Sequence, residues 1–194
     1  LCALLYTSGT TSMPKGVKLT NGAITGYVMG SNDAASGEDM GRMALAAPLY
    51  HIAGVTSMLN ALYSGRVVVL LPQFEAAAWI ETVQKHSVTH AFLVPTMLAR
   101  VMEADNFSKT AFEGMDGITY GAAPMPPSVI RRAISVFPEN VSFAGAYGQT
   151  ETTSTVAVLD PDDHRVEGNE AEKALKLKRL SSVGKVLDDV EVRI

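Results

Sequence analysis

The sequence predicts an α/β domain, with alternating strands and helices forming a largely parallel sheet covered by helices. Short apolar runs of strand character alternate along the chain with longer segments whose apolar residues recur at helical spacing. Strands separated by helices in this way pair in parallel and are buried on both faces. The composition agrees: 47% hydrophobic and 19% charged residues is globular and rules out a disordered chain.

The elements follow in order. Leu4 to Thr7 is a short strand entering a Gly/Ser/Thr loop, and Val17 to Leu19 alternates and can pair back on it. Asn21 caps a helix predicted to run to about Ser36, with Gly37 as its stop. Met43 to Ala47 is a buried-type run closed by Pro48, and His51 to Leu62 an apolar helix ended by Ser64-Gly65. Arg66 to Leu71 contains Val67-Val68-Val69, the strongest strand signal. Phe74 to His86 reads as a helix with Trp79, Ile80 and Val83 on one face. His90 to Val94 is a strand, after which Pro95 opens a helix at a permissive position.

The pattern then repeats: a strand over Gly117 to Tyr120, a helix from Pro126-Pro127 carrying Ile130, Ala133, Ile134 and Phe137, and a strand over Val141 to Ala146. Asp160 to Ser182 is polar and reads as a surface loop or helix, its lysines a solvated face. The tail from Val190 to Ile194 reads as a strand.

Composition also excludes function classes. The 194 residues suffice for one ordinary domain or a piece of a larger one. A net charge of -4 with both signs mixed argues against a nucleic-acid or anionic-membrane binder. The single cysteine, Cys2, excludes an intramolecular disulfide and a multi-cysteine zinc site. No apolar run approaches the ~20 residues of a membrane span. The chain starts at Leu1 without a Met and stops inside an apparent strand, so both ends are expected to be cuts in a longer protein.

The most informative stretch is Tyr6 to Val17, where hydroxyl residues, Gly9 and Lys15 follow a strand. Such a loop can offer backbone N–H groups, hydroxyls and one cation to a polyphosphate. Composition alone leaves a plain Ser/Thr-rich hairpin connection ahead, since these residues favour turns. The nucleoside-triphosphatase loop fails on spacing: five residues separate Gly9 from Lys15, and Gly16 follows the lysine. Ser12-Met13-Pro14-Lys15 matches the Ser-x-x-Lys of penicillin-recognising hydrolases, but Pro14 and Gly16 oppose the helix that chemistry needs. His86 and His90, four apart, lack a productive glutamate between them and read as structural; His164 lies in a polar loop and carries no signal.

The loop resembles the signature of the adenylate-forming superfamily, Tyr-Thr-Ser-Gly-Thr-Thr-Gly-x-Pro-Lys-Gly-Val, with Ser12 in place of a glycine. Pro48 to Gly54 resembles the family's gate motif beside the acyl pocket. Tyr120 to Pro124 resembles its adenine-binding strand end, and Ala146 to Glu151 its Tyr-Gly-x-Thr-Glu motif. The tail from Ser182-Val183-Gly184 to Ile194 resembles the family's Ser-Val-Gly segment, with Val186, Asp188 and Asp189 departing from it. The resemblance implies that residues 1–194 form the central part of the family's N-terminal adenylation domain. The preceding part of that domain and the small C-terminal domain would lie outside.

It further implies ATP-dependent activation of a small-molecule carboxylic acid to an acyl-adenylate, followed by thioester formation with coenzyme A. Thr7, Ser8, Gly9, Thr10, Thr11 and Lys15 would hold the β- and γ-phosphates, Glu151 would bind Mg²⁺, and Thr150 would reach the α-phosphate. Tyr147 would stack on adenine with Gly121, Ala122, Ala123 and Gly148 lining the pocket. His51 would stand between ATP and the acyl channel. A cytoplasmic enzyme is implied. Pro48 to Gly54 holds no carboxylate to pair with a substrate ammonium, so an amino acid is disfavoured and a fatty or similarly apolar acid expected. The alternatives are a non-catalytic nucleotide-binding relative and an adenylation domain loading a carrier protein.

Overall fold

The computed structural model describes residues 1–8 and 13–193. Gly9, Thr10, Thr11 and Ser12, which fall in the phosphate-loop reading, and Ile194 lie outside the described residues.

β1 (Ala3–Thr7) and β2 (Lys15–Leu19) form an antiparallel hairpin with Thr7 opposite Lys15. The strands on either side of the Ser/Thr-rich stretch are therefore paired, and they bring the Thr7 hydroxyl and the Lys15 ammonium opposite each other. The hairpin packs through Leu5, Val17 and Leu19 on α1 (Asn21–Ser31) and α2 (Ile52–Tyr63).

The main sheet has seven strands in the order β4-β3-β5-β6-β7-β8-β9. β3 (Arg42–Leu45), β4 (Val67–Leu70), β5 (His90–Leu93), β6 (Gly117–Gly121) and β7 (Ser142–Gln149) pair in parallel, as the alternation of strands and helices predicts. β8 (Ser154–Leu159) and β9 (Lys185–Val186) add antiparallel. One face is covered by α3 (Ala76–Lys85), α4 (Pro95–Glu103) and α5 (Pro127–Val136). Its core centres on Trp79, Phe107, Phe112, Phe137 and Phe143, with the rings of Phe112 and Phe137 4.7 Å apart. α6 (Pro161–His164) and α7 (Glu170–Arg179) extend the cover on this same face, with Leu177 and Leu180 in that core.

Four expectations are corrected. α1 is capped by Thr20, whose hydroxyl accepts from Ala23 N–H at 3.1 Å, not by Asn21. It ends at Ser31, because Asn32 is extended and Gly30, Ser31 and Asn32 are weak helix formers. Val190 to Arg193 is not a strand; pairing with β8 is made by Lys185–Val186 instead. His164 is not a loop residue without a role. It is 3% exposed, with Nδ1 2.8 Å from the Asp160 carbonyl and Nε2 2.8 Å from the Tyr120 hydroxyl. Since a carbonyl only accepts, Nδ1 carries the proton and Tyr120 donates to Nε2. Burial pushes the Tyr120 phenol up to about 12 and His164 down from its ordinary value. No helix among the described residues is long and apolar enough to cross a membrane.

Candidate active site

Parallel strands place ligands at their carboxyl ends, and those of the sequence-predicted residues that are described line cavities there. Three cavities meet at this crest. The front one, about 680 Å³, is lined by Thr7, Ser8, Lys15, His51, Thr150 and Glu151 among others. A second, about 320 Å³, is lined by Gly121, Ala122, Ala123, Tyr147 and Gly148. The two share Ala122 and Gly148, so they form one cleft. A third cavity of about 480 Å³ runs under α2 and joins the front one at Ala53 and Phe92.

Local backbone geometry sets the cleft. The Thr7 hydroxyl donates to Glu151 Oε1 at 3.1 Å and joins two motifs 144 positions apart. Glu151 sits on a single helical turn, Thr150–Thr152, held as a capping box by Gln149 and Thr152. The Thr152 hydroxyl accepts from Gln149 N–H and lies within hydrogen-bond distance of the Ser154 carbonyl. Thr153 and Ser154 leave that turn at φ 60° and 113°, and Ala122 leaves β6 at φ 64°. A non-glycine residue in this region carries about 1–2 kcal/mol of strain, which concentrates at functional sites. A buried hydroxyl contact of 3.0 Å between Thr56 and Ser154 ties the turn to α2.

Close approach explains Gly148. A Cβ there would lie 1.7 Å from the Ser154 carbonyl oxygen, where the β7–β8 register shifts between Tyr147 and Gly148. Tyr147 is 50% exposed and lines the second cavity. His51 stands at the N-cap of α2 without a side-chain capping bond, its ring 4.7 Å from that of Tyr50, and lines the front cavity. Lys15 and Glu151 bring opposite charges to one cavity.

Among the described residues no group of three or more His, Cys, Asp or Glu could hold a metal alone. The lone carboxylate of Glu151 suits Mg²⁺, which takes one or two carboxylates and completes its shell with phosphate oxygens and water. His86 is exposed at the end of α3, and His90 starts β5 with its ring against Thr89, so they form no metal pair.

Sequence reasoning missed part of the site. Leu180 to Val183 form the wall opposite Tyr147, foreshadowed by the Ser-Val-Gly match but given no role by it. The channel residues carried no signal in isolation, because small strand residues look unremarkable until their shared face is known.

The model of the AMP-binding enzyme family matches residues 1–194. The indoleacetate–CoA ligase of Aromatoleum aromaticum is 30% identical over 189 residues, covering 97% of this chain and 36% of that protein. The feruloyl-CoA synthase of an Amycolatopsis species is 34% identical over 164 residues, 82% of this chain and 32% of that one. O-succinylbenzoate coenzyme A synthetase from Bacillus subtilis, solved in complex with ATP and magnesium ion, is similar with a TM-score of 0.74 at 30% identity. That match covers 95% of this chain and 35% of the solved one. The chain thus spans about a third of the length of these relatives.

Proposed function

The chain belongs to the AMP-binding enzyme family, and from that premise we propose that the protein carrying it is an ATP-dependent acyl-coenzyme A ligase. A carboxylate oxygen of the acid attacks the α-phosphorus of ATP, and the bond to the leaving pyrophosphate breaks. The sulfur of coenzyme A then attacks the acyl carbon, AMP departs with the bonding pair, and the thiol proton is lost. The observation that carries this reading is the joining of the two phosphate-binding motifs. The Thr7–Glu151 bond brings hairpin and turn together at a cavity open both to the Tyr147 pocket and to the channel.

The first step brings an anion to a polyanion, so neutralisation and donor placement dominate its barrier. Lys15, Thr7 and Ser8 face the front cavity and would hold the β- and γ-phosphates, together with Gly9, Thr10 and Thr11. Thr150 would donate to the α-phosphate. Glu151 would hold Mg²⁺, whose charge would offset that of the phosphates. Tyr147 and the small residues Gly121, Ala122, Ala123 and Gly148 would sandwich adenine. His51, near the junction with the channel, would orient the acid carboxylate.

The channel would take the acid's remainder. Its near end, by Ala53 and Phe92, is apolar; Asp116 stands at the opposite end, so a substrate ammonium beside the carboxylate finds no channel counter-charge. Indoleacetate, ferulate and succinylbenzoate, for which the relatives are named, all carry a ring. Within the fatty or similarly apolar acids favoured by sequence reasoning, a ring-bearing acid is therefore the one we favour.

The test is acid-dependent pyrophosphate release from ATP and Mg²⁺ by the full-length protein, with aryl, fatty and amino acids. Lys15→Ala and Glu151→Ala should each lower the rate more than tenfold, about 1.4 kcal/mol of barrier. Unchanged rates in both would remove the assignment, and preference for a free amino acid would overturn the substrate class.

A further inference from the structure

Glu151, the carboxylate that would hold Mg²⁺, stands on a turn with little support of its own. Glu151 and Thr152 are exposed. The bond from Thr7 to Glu151 is exposed as well, so water competes for it. Ser154, which follows the turn, is by contrast buried. Its φ of 113° is a conformation that suits glycine and persists in another residue only where the surroundings hold it.

The contact that holds it can be followed atom by atom. The Thr56 hydroxyl lies 2.9 Å from the Ile52 carbonyl and 3.0 Å from the Ser154 hydroxyl. A carbonyl only accepts, so the Thr56 proton goes to Ile52 and Ser154 donates to Thr56. Both side chains are buried, where a hydrogen bond is stronger than at the surface. The Ser154 carbonyl in turn lies 2.9 Å from the hydroxyl of Thr152, the residue after Glu151. These contacts lead from Ile52, beside His51, to the Glu151 turn, and Ile52, His51 and Glu151 all line the front cavity. One residue further along, the Tyr27 hydroxyl of α1 donates to the Thr155 hydroxyl at 3.0 Å and fixes the start of β8 from a second helix.

We propose that Thr56 and Ser154 are positioning residues for Glu151. Their buried bond sets where the turn stands in the front cavity, and so how well its carboxylate holds Mg²⁺ against the phosphates. Neither side chain lines that cavity; both line the channel under α2. They act through Glu151 and not by touching the nucleotide. The inference rests on the ligase reading above.

The experiment titrates the full-length protein with ATP, once with Mg²⁺ and once without. No acid is present, which keeps channel effects out of the measurement. The heat of binding yields both affinities, and the quantity read is the gain in ATP affinity on adding Mg²⁺. Thr56→Val and Ser154→Ala should each cut that gain by about threefold to tenfold, the size of one lost hydrogen bond. Thr56→Ser keeps the hydroxyl and should bring the gain back to within about twofold of the unaltered protein. The double variant Thr56→Val/Ser154→Ala should be no worse than the single ones, since both break the same bond. Ser154→Ala removes one oxygen only, so it reads the bond even where Thr56→Val disturbs the packing of α2. Urea midpoints and acid-dependent pyrophosphate release are measured on the same proteins. Lowered midpoints with an unaltered gain in both single variants would make the bond merely structural and overturn the proposal. Equal losses in Thr56→Ser and Thr56→Val, or losses that add in the double variant, would overturn it too. So would the lack of any gain from Mg²⁺ in the unaltered protein. In each of these cases pyrophosphate release by the unaltered protein leaves the ligase reading intact. No release with any acid in the panel would remove that reading, and this inference with it.

Discussion

The two faces of β6 and β7 are built from the same strands and do opposite things. Toward α3, α4 and α5 they present Ile118, Tyr120 and Phe143, locked among Phe137, Phe112 and Trp79. Toward α2 they present Gly117, Thr119, Ser142, Ala144 and Ala146, which leave the channel open. Side chains alternate across a strand, so each strand contributes alternate residues to a packed core and to a binding floor. Stability and the proposed acid binding should therefore be separable by single substitutions in adjacent residues.

The strongest way to break this comparison lies on the packed face. Phe137→Ala removes a ring that is 1% exposed and should cost about 3–5 kcal/mol, read as a shift of the urea midpoint. A loss under about 1 kcal/mol would mean that this core does not carry the fold. On the open face, Ala144→Leu fills the channel floor. It should lower kcat/KM for the acid more than about tenfold, with a stability change under about 1.5 kcal/mol. If the substitution unfolds the protein and leaves acid use intact in what remains folded, the two faces are not separable.

A smaller effect is expected where the hairpin meets the turn. Thr7→Val removes the 3.1 Å bond to Glu151. Because Glu151 is exposed, the bond is screened, and pyrophosphate release should fall by only about threefold to tenfold. Loss as deep as that of Glu151→Ala would mean that the contact of the Thr7 hydroxyl with the phosphates outweighs its bond to Glu151.

The smallest effect concerns His164, under the packed face. Its pKa is held down by burial, only partly offset by the bond to the Asp160 carbonyl. The unfolded chain then takes up a proton near pH 6.5 that the folded chain refuses. Stability contributed by this group is present above about pH 6.5 and is lost as pH falls toward the lower folded value. Urea unfolding between about pH 7.5 and 5 should show this slope, and His164→Gln should flatten it. His90, also held down by burial with Arg66 beside it, leaves a residual slope of the same sign. An unaltered slope in His164→Gln would remove His164 from the account.

Much of the fold was legible because its signals are local. Val67-Val68-Val69, the helical spacing of Ile130, Ala133 and Phe137, and Pro95 at a helix start all act over one or two turns of chain. The helix over Asn21–Ser31 was overextended because Gly37 is a stronger stop signal than the polar Ser31-Asn32 pair that ends it. β8 went unread because its six residues follow directly on the turn that carries Glu151. His164 was misjudged because its partners, Tyr120 and Asp160, are set by tertiary packing; Tyr120 lies 44 positions away.

By itself the sequence determined the alternation of strands and helices and the order of the motifs, since each depends on neighbours a few residues apart. It could not show that Thr7 bonds Glu151, that Leu180 to Val183 wall the Tyr147 pocket, or that Ser154 bonds Thr56. Those contacts join residues that only the packing of α1, α2 and α7 on a seven-stranded sheet brings together. Whether a buried polar atom finds a partner is a property of that packing, and no window of sequence contains it.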